Sequence, residues 1–247
     1  MKTDHMNIRI FNRDVIKLVA MLAMLLNHIA AIELFPLPPA LHEVMEDIGY
    51  FTAPVMCFFL VEGFHYTGSR KQYGIRLMLF AVISQIPYGL VTQDDSFNMI
   101  YTLLCSYLIL IVMEQFPNTT GRTVLCALLV MATMNSDWAL IAPMLTILLY
   151  RSAGDREKMA WGFGITYIAF SLCNMIDYAE KMNCNITTAV MHGALSGLGI
   201  LAAAFTVLVF YNGKRIEHGK EASKWFFYIF YPTHLFILYL LKTFVLI

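Results

Sequence analysis

The sequence has little charge, and it lacks the marks of a soluble, disulfide-bonded or metal-binding domain. Charged residues make up 14% of the chain, against about 25% in soluble domains. The 17 basic and 17 acidic residues cancel, so no net field points to nucleic acid as a partner. No stretch is polar enough to form a domain outside the lipid. There are five cysteines, but Cys57, Cys105, Cys126, Cys173 and Cys184 form no C-x-x-C pair, and four sit in apolar runs. They read as core thiols, with no metal site expected. No small-residue cleavage site follows the first apolar run, so that run reads as a retained helix rather than a removed signal peptide. Repeats, linkers and low-complexity segments are absent, which leaves one integral membrane domain over 1–247.

What is abundant is hydrophobic side chain, at 59% compared with about 45–50% in soluble proteins. A membrane span needs about 20 mostly apolar residues. Runs of that kind are predicted at 14–35, 49–67, 74–91, 98–116, 122–134, 138–150, 158–176, 187–211 and 225–246. The fifth and sixth are short. They read as two tilted spans or as one re-entrant hairpin broken at Asn135-Ser136-Asp137, so about nine spans are expected and eight are an alternative. The fold class is an all-α polytopic transmembrane bundle.

Loop charge gives the orientation. Arg9 and Arg13 precede the first span, and Arg70, Lys71 and Arg76 follow the second. Arg122 precedes the fifth. Arg151, Arg156 and Lys158 separate the sixth and seventh, and Lys214, Arg215, Lys220 and Lys224 precede the last. The intervening loops carry Glu43, Glu46 and Asp47, then Asp94 and Asp95, then Asp137, then Asp177 and Glu180, with Lys181 the exception. Basic loops stay in the cytoplasm, so the amino end is expected there, in a bacterial-type inner or plasma membrane.

Ionisable residues inside the spans each cost at least about 2.5–3.5 kcal/mol at the bilayer centre and so need a reason. Lys17 and His28 share the first span. Eleven steps at 3.6 residues per turn return His28 to within about 20° of Lys17 and about 16 Å further along the axis. The last span resembles this arrangement: Lys224 marks its start and His234 follows ten residues later, in Phe230-Tyr231-Pro232-Thr233-His234. The two histidines should therefore lie at similar depth. Glu62 and His65 sit one turn apart near the inner end of the second span, and Arg76 opens the third at that level. Glu62 reads equally as an ion-pair partner for Lys17 or Arg76. An outer layer contains Asn98, Tyr101 and Asp137.

Histidine is the usual proton-transfer group because its ordinary pKa lies near neutrality. Basic groups at the inner mouth attract a cytosolic anion. Coenzyme A carries phosphates at one end and a thioester at the other. Its phosphates would rest among Lys17, Arg70, Arg76 and Lys224, while His28 deprotonates an acceptor hydroxyl or amine. These features alone do not choose between such an enzyme and a small transporter relaying protons through its histidines. They leave a non-catalytic assembly factor open as well.

The sequence resembles the TraX family, membrane proteins named for the acetylase of conjugative-pilus subunits. The likeness runs from Lys17 through Asn27-His28 and covers Phe51 to Pro54, Phe59 to Phe64, Tyr73 to Leu77 with Ser84 to Pro87, and Asn98 to Thr102. It ends with Lys224 and the run Phe227 to Leu235. The acyltransferase 3 membrane family is similar in its basic residue and histidine ten residues apart in the first helix. The resemblance implies acyl transfer from a cytosolic acyl-coenzyme A, acetyl-coenzyme A first among them. Residue by residue it points to Lys17, His28, Glu62, Arg76, Asn98, Asp137 and His234. His28, His234, Glu62, Asn98 and Asp137 are expected as catalytic, and Lys17, Arg76, Arg70, Lys224 and Tyr231 as donor-binding. The acceptor, whether a protein amine, a glycan or a small molecule, is not specified. Asn27 departs from the family, which tends to have Asp before the histidine. An Asp there would stabilise the imidazolium, whereas Asn only hydrogen-bonds.

Overall fold

A computed structural model describes residues 9–244. Eleven α-helices occur among them: α1 Arg13–Ala31, α2 Pro39–Gly49, α3 Thr52–Tyr66, α4 Arg70–Thr92, α5 Met99–Gln115, α6 Thr120–Met131, α7 Ile141–Arg151, α8 Arg156–Met182, α9 Ile186–Ser196, α10 Leu198–Phe205 and α11 Lys220–Phe244. A single π-helical turn, Thr206–Phe210, extends α10. There is no named strand among the described residues.

Every expected span coincides with a helix or a helical run. Residues 245 and 246 of the last one lie outside the described residues. Five runs are long and apolar enough to cross a membrane: Arg13–Ala31, Pro39–Tyr66, Arg70–Thr92, Arg156–Met182 and Ile186–Phe210. The last helix, α11, is as long but carries Lys220, Lys224, Pro232, His234 and three tyrosines. Many outward-facing side chains are apolar, among them Leu22, Val82, Ile86, Leu128, Ile168 and Ile237. That is the surface a lipid environment selects and water does not.

The segment expected as an acidic loop at 36–48 is instead largely helix. Pro39 stands in the first turn of α2, where a proline's missing N–H costs nothing. Asn27 Nδ2 donates to the α2 carbonyl of Glu46 at 2.9 Å, and Gly49 lies so close that an added Cβ would be 2.1 Å from Asn27 Cβ. The amide therefore does a helix-packing job that a carboxylate, which cannot donate, would not do. Asn27 belongs to the α1–α2 contact.

Helices α6 and α7 have 12 and 11 residues, so at about 1.5 Å per residue neither reaches the roughly 30 Å of a bilayer core. Their connection docks on the loop before α5. Phe97 N donates to Asn135 O at 2.9 Å, and Asp137 N donates to Phe97 O at 2.8 Å. Thr102 Oγ1 also donates to Asp137 O at 2.6 Å. Inside the bundle, Ser106, Thr146 and Thr166 each return their hydroxyl to the carbonyl four residues back at 2.8 Å. Hydroxyls with no water to turn to are satisfied in this way.

Helices α8 and α9 meet closely through Gly193 and Gly197, a small-xxx-small pair. A Cβ on Gly193 would lie 2.3 Å from the backbone oxygen of Ser171, an atom that cannot swing aside. Gly164 on α8 faces open space. Gly193→Ala should lower the thermal midpoint in detergent, the usual cost of overpacking being about 1–3 kcal/mol. Gly164→Ala should leave it level or raise it, since Ala is the better helix former by about 1 kcal/mol. Equal midpoints for the two variants would contradict this helix contact.

Candidate functional site

The candidate site begins with two helical stripes. On α1, Arg13, Lys17, Met21 and Met24 follow one another at steps of three or four residues. On α11, Lys224, Phe227, Tyr228 and Tyr231 share one face, at spacings of three, four and seven from Lys224. All eight line one cavity of about 320 Å³. Arg76 and Tyr73 from α4, Phe59 and Leu60 from α3, and Met99 and Ile100 from α5 complete its walls. One more turn along each stripe leads to His28 and His234. Neither histidine lines the cavity; Tyr231 stands at that end, its ring centroid 6.4 Å from His28 and 5.6 Å from His234.

The starts of α1, α4 and α11 and the end of α3 share the cavity rim. Helices α1 and α11 therefore run in the same direction. The lining is strongly cationic: Arg13, Lys17, Arg76, Arg215 and Lys224 against one acid, Asp14. Asp14 is already engaged, accepting from Ile216 N at 2.8 Å and from the Ser223 hydroxyl. Arg13 pairs with Glu62 at 3.7 Å, and Lys224 pairs with Glu221.

Lys17 has no carboxylate partner among the described residues. Its ammonium lies 5.1 Å from the Phe227 ring centroid and 5.6 Å from that of Phe59, a favourable but partial substitute for an anion. Arg76 stacks at 5.7 Å over Tyr73, and its buried Nε has no hydrogen-bond partner. A buried guanidinium nitrogen left empty in a cationic cavity marks a place where an anion fits.

Beyond Tyr231 the two histidines meet. His28 Nδ1 and His234 Nε2 are 2.8 Å apart, and His234 Nδ1 lies 2.9 Å from the carbonyl oxygen of Phe230. Elementary bookkeeping fixes the tautomers of the neutral pair. A carbonyl only accepts, so His234 Nδ1 carries its proton and Nε2 is bare. His28 Nδ1 must then be the donor, leaving a lone pair on His28 Nε2 that has no partner among the described residues. That is the protonation pattern of a general base held by an orienting acceptor. The rings stack with centroids 5.1 Å apart, and both side chains are buried.

Of the residues expected to bind the donor, Lys17, Arg76, Lys224 and Tyr231 line the cavity. Arg70 does not: it forms an ion pair with Glu114 and lies 4.4 Å over Phe64. Besides Arg13, Glu62 accepts a 2.5 Å hydrogen bond from the Tyr211 hydroxyl, so it braces the rim instead of facing Lys17 or Arg76 as an ion-pair partner. His65 turns away to stack on Tyr150. Asn98 spends its side chain as the cap of α5, accepting from Ile100 N and Tyr101 N and donating to Ala81 O and Gln85 Oε1. Asp137 sits within electrostatic range of the Tyr50, Tyr88 and Tyr231 hydroxyls.

The sequence reading missed the parts played by Arg13, Tyr73, Arg215, Phe227 and Tyr228. Arg13 was detectable, standing one turn before Lys17. Arg215 arrives on the 212–219 loop through long-range contacts with Asp14, for which no local pattern exists. Among the described residues no group of three or more His, Cys, Asp or Glu side chains could hold a metal ion.

Comparison with known proteins adds the following. The family model described as TraX protein matches residues 12–242. Over 246 residues the chain is 26% identical to the "Probable fimbrial assembly protein FimC, serogroup H1" of Dichelobacter nodosus, covering 95% of this chain and 97% of that protein. No solved structure matches.

Asp137 lies in the connection between α6 and α7, and burial pushes its carboxyl up from 3.8 to about 6. The folded state thus keeps a proton that the unfolded chain has released, and stability falls as pH rises from about 4 through about 6. Asp137→Asn should remove that loss. Its thermal midpoint should match wild type near pH 4 and exceed it near pH 7, by about 2–4 °C per kcal/mol for a chain of this size. The same difference at both pH values would mean that the carboxyl is fully hydrated.

Proposed function

The chain belongs to the TraX family, and on that premise we propose that it is an acyltransferase of the bacterial plasma membrane. It moves an acetyl or related acyl group from cytosolic acyl-coenzyme A to a hydroxyl or amine acceptor, with His28 as general base. The observation carrying this reading is the alignment of a cation-rimmed cavity with a buried histidine pair along the same two helix stripes.

Each part of the donor has a counterpart. Its phosphates match Lys17, Arg76, Arg215 and Lys224 at the rim, which faces the cytosol if the basic loops stay inside. The narrow arm suits a chamber walled by Met21, Met24, Met56 and Leu60, apolar and adaptable. The thioester then approaches Tyr231 and the histidines. His28 Nε2 takes the proton from the acceptor as the acceptor attacks the thioester carbon. His28 Nδ1–H stays bonded to His234, whose own Nδ1–H is fixed by Phe230 O, so the ring is oriented while it becomes an imidazolium. The proton then goes to the departing coenzyme A thiolate.

A second reading rests on the relative's name. A protein similar over nearly its whole length is called a fimbrial assembly protein, so a role in assembling a surface filament, with or without catalysis, is the alternative.

Detergent-purified protein given acetyl-coenzyme A labelled in its acetyl group separates the enzyme from a non-catalytic assembly role. Wild type should release or transfer the label, and His28→Ala should lower that rate by at least about 100-fold, the low end of general-base contributions. Arg76→Ala should weaken coenzyme A binding about tenfold or more, the size of a charge-assisted hydrogen bond. Unchanged turnover in His28→Ala would remove the mechanism. Failure of wild type to bind coenzyme A would leave the assembly reading alone.

A further inference from the structure

We propose that Tyr231 is a catalytic hydrogen-bond donor, its hydroxyl aimed at the carbonyl oxygen of the bound thioester. The proposal rests on the acyltransferase reading above and adds the group that stabilises the charge developing during attack.

Tyr231 is 5% exposed and stands at the end of the cavity nearest the histidines. Its oxygen is already an acceptor: Met99 N donates to it at 3.3 Å. Met99 is the first residue of α5 and also lines the cavity. The next two N–H groups, those of Ile100 and Tyr101, go to Asn98 Oδ1. The Met99 N–H is therefore the one amide of the first three in α5 that points at the tyrosine. Because the hydroxyl accepts from the backbone, its own proton is free to be donated, and no acceptor for it occurs among the described residues.

Two consequences follow from this arrangement. A phenol that accepts a hydrogen bond at the positive end of a 17-residue helix is polarised toward donating its proton. The donor is also preorganised, so it costs no solvent reorganisation when the thioester oxygen gains charge. In the step itself, the acceptor's oxygen or nitrogen loses its proton to His28 Nε2 and bonds to the thioester carbon. The carbonyl π electrons move onto oxygen, where the Tyr231 O–H binds them. The tetrahedral intermediate then reforms the carbonyl and expels coenzyme A thiolate, which takes the proton back from His28. Tyr231 keeps its own proton throughout.

The test compares wild type with Tyr231→Phe, which keeps the ring beside both histidines and removes only the hydroxyl. With acetyl-coenzyme A, kcat should fall by about 100-fold or more, the usual effect of removing one such donor, while KM rises by no more than about tenfold, the worth of one neutral hydrogen bond. Two unreactive ligands supply a readout independent of turnover. S-acetonyl-coenzyme A keeps a carbonyl oxygen, and S-propyl-coenzyme A has none. Tyr231→Phe should weaken binding of the first by about three- to tenfold, the worth of a neutral hydrogen bond, and leave the second unchanged. An unaltered kcat, or an equal loss for both ligands, would overturn the proposal and reduce Tyr231 to a packing residue. If wild type binds neither ligand and does not turn over acetyl-coenzyme A, the acyltransferase reading itself falls. That outcome is distinct from a wild type that works beside an unaffected variant.

Discussion

The hydrogen bond between His28 and His234 ties the first described helix to the last, across 206 positions of sequence. It also decides the chemistry of the pair. Two imidazoles that share one hydrogen between facing nitrogens, with the outer nitrogen of His234 committed to a backbone carbonyl, have only one lone pair left to offer. That lone pair is on His28. No acid near the pair is needed to fix its tautomer, so Asn at position 27 leaves the arrangement intact. The amide at 27 instead joins α1 to α2, and His234 does the orienting.

Electrostatics then separates the two ends of the site. Basic side chains crowd the rim, and each acid there is already used. Asp14 anchors the 212–219 loop, Glu62 holds Arg13 and Tyr211, and Glu221 holds Lys224. Lys17 and the Arg76 Nε are left to aromatic rings or to nothing. Deeper in the bundle the charges give way to groups that are neutral and able to move a proton. This gradient suits a ligand that is anionic at one end and reactive at the other, and it would be a poor design for passing an ion straight through.

Much of this was legible in the sequence. Long apolar runs gave the helices because lipid leaves few other structures for a spanning chain. The eleven-residue step from Lys17 to His28 and the ten-residue step from Lys224 to His234 gave the depth of the pair because helix rise is nearly invariant. What could not be read was lateral placement. Hydropathy says nothing about which neighbour a helix faces, so Arg70 looked like a donor-binding group until it was seen beside Glu114. Asn98 looked like a site residue until its oxygen proved spent in capping α5 and its amide nitrogen in bonds to α4. The α2 helix was hidden by three prolines within four residues, which mark a loop in most sequences but here end in a helix start. The rim position of Arg215 depends on a loop folding back onto Asp14, a contact between residues about two hundred apart.

The central claim is that the cavity carries an acyl-coenzyme A with its thioester presented to His28. A structure of the complex with S-acetonyl-coenzyme A is the most direct measurement. The account predicts phosphate oxygens in ion-pair contact with Lys17 and Arg76, and the ligand's carbonyl carbon close enough to His28 for an acceptor atom to fit between them, within about two contacts of 3–3.5 Å each. A ligand bound elsewhere, or one whose carbonyl end stays at the rim with Tyr231 still closed over the histidines, would contradict it.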